Sequence, residues 1–214
     1  KTTLGSMIVS GPMYVSCESD FVSSSFYGLN LPKWVQDFNN ANFCESYLSK
    51  QWNLLLKASK YDESLEDNSV YEEVFNGEEA PIFPHDLPSL TALNGKGIIK
   101  STPFGNSLTK DLAVAAIKGE GLGKDDFTDL LAVSFSSTDY VGHQFGADSK
   151  ETQDTYLRLD RDLADFLDFL EQYIGTENVL VFLTADHGAV RTPSYLKDRK
   201  IPADILRLKN PLLS

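Results

Sequence analysis

DFTDLLAVSFSSTDYVGHQFG (126–146) and VLVFLTADHGAV (179–190) decide how this chain is read. In each, an apolar run of strand length stops at an aspartate with a histidine close behind: TDYVGH, residues 138–143, and TADHG, residues 184–188. The chain has three histidines, and two of them, His143 and His187, fall in these segments. Both runs are apolar almost throughout rather than alternating, the pattern of strands buried on both faces of a sheet.

The stretch that joins them predicts a long amphipathic helix. Leu159, Leu163, Phe166, Leu167, Leu170 and Ile174 recur at helical spacing opposite Asp160, Asp162, Asp165 and Asp168. Asp148 with Glu151 resembles a capping box at its start, and Gly175 closes it. Strand, helix and strand, with both strands apolar, predict a βαβ unit whose strands run parallel. Ligands of open parallel sheets collect beyond the carboxyl ends of the strands, so TDYVGH and TADHG are expected to emerge on one edge and converge.

Carboxylate and neutral imidazole together suit zinc. Asp139 and His143 are separated by three residues in a turn that Gly142 keeps supple. Asp186 and His187 are adjacent, and adjacent strand side chains point apart, so the strand must stop there, with Gly188 supplying the turn. Either segment alone leaves the reading open, because a strand-end Asp also caps helices or makes Asx turns and a neighbouring His bonds to backbone. The expected convergence favours coordination. His85, in FPHDLP, has no such setting and reads as structural or surface.

Further out, SMIV (6–9) is a short β-like run closed by Gly11 and Pro12, and MYVSCESDFVSSSFYG (13–28) reads as a hairpin around ESD. LPKWVQDFNNAN (31–42) predicts a short helix, with Pro32 in its first turn and Trp34, Val35 and Phe38 at helical spacing. Residues 61–93 mix acids, prolines and aromatics without period and read as an irregular excursion rather than a core element. SLTKDLAVAAIKGEGLG (107–123) predicts a helix capped by Ser107, with Leu112, Ala115, Ala116 and Ile117 on one face, ending at Gly121 and Gly123.

At 214 residues and 42% hydrophobic, the chain can bury the core of one large globular domain. A net charge of −12 disfavours nucleic acid as a partner. Much of the acid crowds between Asp62 and Glu79, which reads as solvated surface. Cys17 and Cys44 leave the redox compartment open: they could pair in an exporting organism or remain as two buried thiols, the slightly favoured reading. No run is long enough to span a bilayer, and KTTLGSMIVSGPMY lacks the features of a signal peptide. Nothing in the sequence sets an oligomeric state.

SSTDYVGHQFG, YLRLDRDLADFLDFLE (156–171) and VLVFLTADHGAV together resemble the alkaline phosphatase superfamily. The resemblance is to its type I phosphodiesterase and nucleotide pyrophosphatase branch and to the bacterial alkaline phosphatases close to it; FVSSSFY and LPKWVQDFN resemble the same bacterial enzymes. It implies an α/β fold with a central, mostly parallel sheet flanked by helices. Residues 1–214 would form a single partial domain, with 13–103 a cap-like insertion and 104–214 the metal-binding sheet core. It further implies two zinc ions, one held by Asp139 and His143 on the side of the hydrolytic water, the other by Asp186 and His187 on the side of the nucleophile.

The activity so implied is zinc-dependent hydrolysis of a small phosphate ester, by a phosphomonoesterase of the alkaline phosphatase type in the periplasm or outside the cell. The alternatives are a phosphodiesterase or nucleotide pyrophosphatase and, from another class, a noncatalytic metal-binding fragment. A sulfatase fits less well, because neither Cys17 nor Cys44 lies in a CxPxR-like context. The family's first metal-binding Asp, its Thr or Ser nucleophile and its last His find no counterpart here. Thr3 and Gly5 stand where a phosphate-holding Lys and Arg would be. The chain therefore reads as an internal piece, inactive or nearly so by itself. Asp160 could support a metal ligand, and Arg191 and Lys197 could steer an anion, but all three read more simply as surface charge.

Overall fold

β-Forming residues near the start of the chain build an antiparallel sheet. In the computed structural model, which describes residues 6–9, 13–17 and 20–205, β1 (Ser6–Val9), β2 (Met13–Cys17) and β3 (Asp20–Ser23) form a meander. The hairpin expected around ESD is β2–β3, with Tyr14 opposite Ser23 and Cys17 opposite Asp20. β4 (Leu131–Val133) joins the other edge of β1, Met7 opposite Val133, giving the order β3-β2-β1-β4. Every pairing in this sheet is antiparallel. Gly11 and Pro12, the expected breakers, lie outside the described residues.

The parallel pairing expected of the two apolar runs is not formed among the described residues. Only Leu131–Val133 of the first run is strand, and 179–185 carries no strand at all. Leu180 is 79% and Phe182 83% exposed, with Val181 and Leu183 exposed beside them. A strand buried on both faces needs neighbours on both edges and layers on both sides, and here β4 has β1 alone as its described partner.

Helices account for most of the core. α1 (Lys33–Asn40) starts after Pro32 and buries Val35 and Phe38. Asn39 locks it to β3, its Oδ1 accepting from Phe21 N and its Nδ2 donating to Phe21 O, both at 2.9 Å. α2 (Phe43–Leu48) carries Cys44, a free thiol that burial pushes up to about 11. After α3 (Leu87–Asn94) comes α4 (Phe104–Glu120), whose Leu108, Leu112, Ala113, Ala116 and Ile117 lie at the centre of the molecule. It ends at Gly121, whose φ of 67° is the left-handed conformation that glycine tolerates best. Ser107, expected as its cap, lies inside the helix and donates to Asp162 Oδ2 at 2.7 Å. Buried Gly105 and Asn106 draw the helix back to Phe104, so packing overrides the local signal.

α5 (Ser137–Phe145) follows β4, and α6 (Lys150–Tyr173) supplies the long connecting helix expected between the two segments. Its cap is Ser149, whose hydroxyl accepts from Thr152 N at 3.1 Å, rather than Asp148. Glu151 turns inward instead of closing a capping box. The apolar stripe is also partial: Leu170 is buried and Leu167 exposed, while Glu151, Asp154 and Asp162 are buried on the same helix. α7 (Pro193–Asp198) is the last helix described.

The 61–93 excursion corrects its reading. Tyr61, Phe75, His85, Leu87 and Leu90 are all buried, so it belongs to the core despite having no period. Single anchoring side chains on irregular backbone do what a stripe does on a helix. Nor is its acid run wholly solvated, since Asp67 Oδ2 accepts from Phe83 N at 3.3 Å and Glu78 Oε1 meets His85.

Candidate metal centre

α5 places Asp139 in its first turn, where a carboxylate faces the positive end of the helix dipole, and His143 one turn later on the same face. His143 Nε2 lies 3.4 Å from Asp139 Oδ2. His187, on the irregular segment after 179–185, sets its Nε2 3.9 Å from Asp139 Oδ1 and 3.6 Å from Asp186 Oδ2. Asp139 thus stands between two imidazoles, and the two segments meet although no parallel sheet carries them there. His187 also makes the local bonds that a turn alone would explain: its N donates to Asp186 Oδ1 at 3.1 Å, and its Nδ1 lies 3.2 Å from Gly188 O.

Zinc bonds of 2.0–2.2 Å in a tetrahedral shell put neighbouring ligand atoms roughly 3.4 Å apart. The spacings of 3.4 Å for Asp139 and His143 and 3.6 Å for Asp186 and His187 fit such an edge. Number is where the fit falls short. Among the described residues no group of three or more His, Cys, Asp and Glu side chains is gathered to hold a metal ion. All four side chains are well exposed, from 48% for Asp139 to 89% for Asp186.

Hydrogen bonds at both ends fix α5. At its start Asn106 of α4 accepts from Ser137 N at 3.2 Å and donates to Thr138 Oγ1 at 3.0 Å. At its end Gln144 Nε2 donates to Glu73 O and Val74 O at 3.2 and 3.1 Å, and Glu73 N donates to Gln144 O at 2.9 Å. The excursion therefore straps down the far end of the helix that carries Asp139 and His143.

Beneath that strap lies a charged cluster that sequence reasoning missed. His85 is fully buried among Trp52, Phe75, Phe83 and Phe145, its Nδ1 2.8 Å from Glu78 Oε1 and its Nε2 3.3 Å from Glu151 Oε1. Burial alone would strip the ring of its proton, but its bonds to Glu151 and Glu78 overcome that and hold it up at about 9. Burial, helped by the charge of Glu151, pushes Glu72 up to about 8. No periodicity links these residues, and the only sequence signal is a histidine between prolines.

Asp160 is exposed on α6, in keeping with surface charge. Arg191 is held by Asp148, with its Nε 2.8 Å from Oδ2, and Lys197 by Asp204 at 2.9 Å, so each already has a carboxylate partner. Lys1, Thr2, Thr3 and Gly5 lie outside the described residues.

Residues 21–211 match the type I phosphodiesterase / nucleotide pyrophosphatase family. The chain belongs to that family. This family member is 48% identical over 182 residues to alkaline phosphatase PafA of Elizabethkingia meningoseptica, over 85% of this chain and 33% of that protein. It is 50% identical over 183 residues to a protein of Myroides odoratus named calcium-transporting ATPase, again over 85% of this chain and 33% of the other. A crystal structure of wild-type PafA matches it with a TM-score of 0.86 at 46% identity, over 90% of this chain and 37% of that one. Fold and sequence thus place the phosphodiesterase-family chain in the alkaline phosphatase superfamily, as an α/β protein. It spans about a third of the length of the relatives it matches, 33% in both cases. No helix among the described residues is long and apolar enough to cross a membrane.

Proposed function

We propose that this chain supplies part of the two-zinc site of a phosphate-ester hydrolase, a phosphomonoesterase of the alkaline phosphatase type acting in the periplasm or outside the cell. Asp139 and His143 would hold one ion and Asp186 and His187 the other. The observation that carries this reading is the approach of His187 Nε2 to Asp139 Oδ1, 3.9 Å across the two segments. When bound, a pair of zinc ions supplies Lewis-acid polarisation of phosphoryl oxygens and activation of a nucleophile near neutral pH. The chain's own residues anchor and orient: α5 holds Asp139 and His143 on one face, and Asp139 faces both imidazoles. Residues 104–214 would form the metal-binding core of a central, mostly parallel sheet, with 13–103 a cap-like insertion. By itself the chain would turn over little or no ester, since no nucleophile has been identified in it.

The match to the type I phosphodiesterase / nucleotide pyrophosphatase family favours a second reading, hydrolysis of a phosphodiester or pyrophosphate by the same pairs. Zinc titration with elemental analysis tests the shared core of both. The wild-type chain should bind zinc that Asp139→Ala and His187→Ala lose; equal zinc in all three would end the two-metal reading. Assaying the complete protein on a nitrophenyl phosphate monoester and the matching diester then separates the two activities.

A further inference from the structure

Resting on the two-metal reading and deepening it, we propose that Asn106 on α4 is a positioning residue for the pair Asp139 and His143. The first turn of a helix leaves its N–H groups without partners inside the helix. The cap position of α5, Ser136, makes no side-chain cap bond. Ser136 Oγ lies 2.9 Å from Ser134 Oγ, and the buried Ser137 Oγ has no partner, so neither hydroxyl does the work.

Asn106 does it from another helix, 31 residues away in sequence from Ser137. Its Oδ1 takes the Ser137 N–H at 3.2 Å, and its Nδ2 donates to Thr138 Oγ1 at 3.0 Å. Exchanging the two ends of the amide would set Nδ2 against the Ser137 N–H, donor to donor, so only one orientation works. At 1% exposure, on a helix packed through Leu108, Leu112 and Ala113, Asn106 is a fixed point. Asp139 is the next residue after Thr138. Its carboxylate can face both His143 at 3.4 Å and His187 at 3.9 Å only while that turn stays in place.

The test measures zinc affinity, by competition with a chromogenic chelator, in the wild-type chain, Asp139→Ala, Asn106→Ala, Thr138→Val and Thr138→Ser, with folding checked by circular dichroism. Asn106→Ala and Thr138→Val should weaken zinc binding about tenfold. Thr138→Ser, which keeps the hydroxyl, should bind as wild type does. Wild-type affinity in folded Asn106→Ala and Thr138→Val, with zinc lost in Asp139→Ala, would overturn the positioning role and leave the two-metal reading standing. Zinc binding that Asp139→Ala does not alter would overturn both. Should Asn106→Ala fail to fold, the Thr138 pair decides: a loss that Thr138→Ser does not restore reports packing and also overturns the proposal.

Discussion

Asp154 shows what a single buried charge does in this molecule. Fully buried on α6, its carboxylate accepts from Trp52 Nε1 and Leu55 N at 2.7 Å, from Arg158 Nε at 2.6 Å and from the Tyr61 hydroxyl. Removing it would leave the Arg158 Nε–H, the Trp52 indole and the Tyr61 hydroxyl without this acceptor. Asp154→Ala should therefore cost about 3–5 kcal/mol in denaturant unfolding. A loss below about 1 kcal/mol would mean that water replaces the carboxylate. At this scale, legibility follows sequence distance. Asp139, His143, Asp186 and His187 could be nominated because each pair is local, adjacent or one helical turn apart in the sequence. Glu151 and His85 are 66 residues apart, Trp52 and Asp154 102, and neither pairing leaves a periodic trace.

Among the elements, three helices were legible and their ends were not, while the segment of Asp139 and His143, read as a turn, is the helix α5. The spacing of apolar residues found α1, α4 and α6, because a stripe of side chains repeats whatever the chain packs against. Caps depend on which hydroxyl or amide reaches the first turn in space, so Ser107 was misplaced, Ser149 took the role expected of Asp148, and α5 drew its cap from α4. Ser149→Ala removes the acceptor for Thr152 N and should cost about 1 kcal/mol in unfolding free energy. At the other end of α4, Gly121→Ala meets no atom within 4 Å but must adopt a φ of 67°. It should lose about 1–2 kcal/mol through backbone strain alone, and an unchanged melting temperature would count against that conformation. The two long apolar runs fared worst, while β1 and the β2–β3 hairpin formed where expected: whether an apolar run pairs depends on neighbours that the run itself does not specify.

Over the whole molecule, the buried cluster beneath the strap sets how the fold responds to pH. His85 keeps its proton to about 9 in the fold against an ordinary 6.5, so the stability it adds is complete below about 6.5 and is lost as pH rises through 9. Glu72 holds its proton to about 8 against an ordinary 4.5, and by the same sign the folded state loses ground as pH climbs through that window. Melting temperature should therefore fall from about pH 4.5 to 9, with the part due to His85 between about 6.5 and 9, which His85→Gln should flatten; a profile level across the range would refute the linkage. The exposed run at Leu180–Leu183 acts at the same scale, because unpaired apolar backbone invites association. Phe182→Lys should lower the light scattering of concentrated samples. Inside a cell the same run is a signal of another kind. An extended, greasy stretch is what holdase chaperones grip, so the chain made alone should be detained by quality control until something else covers residues 180–183.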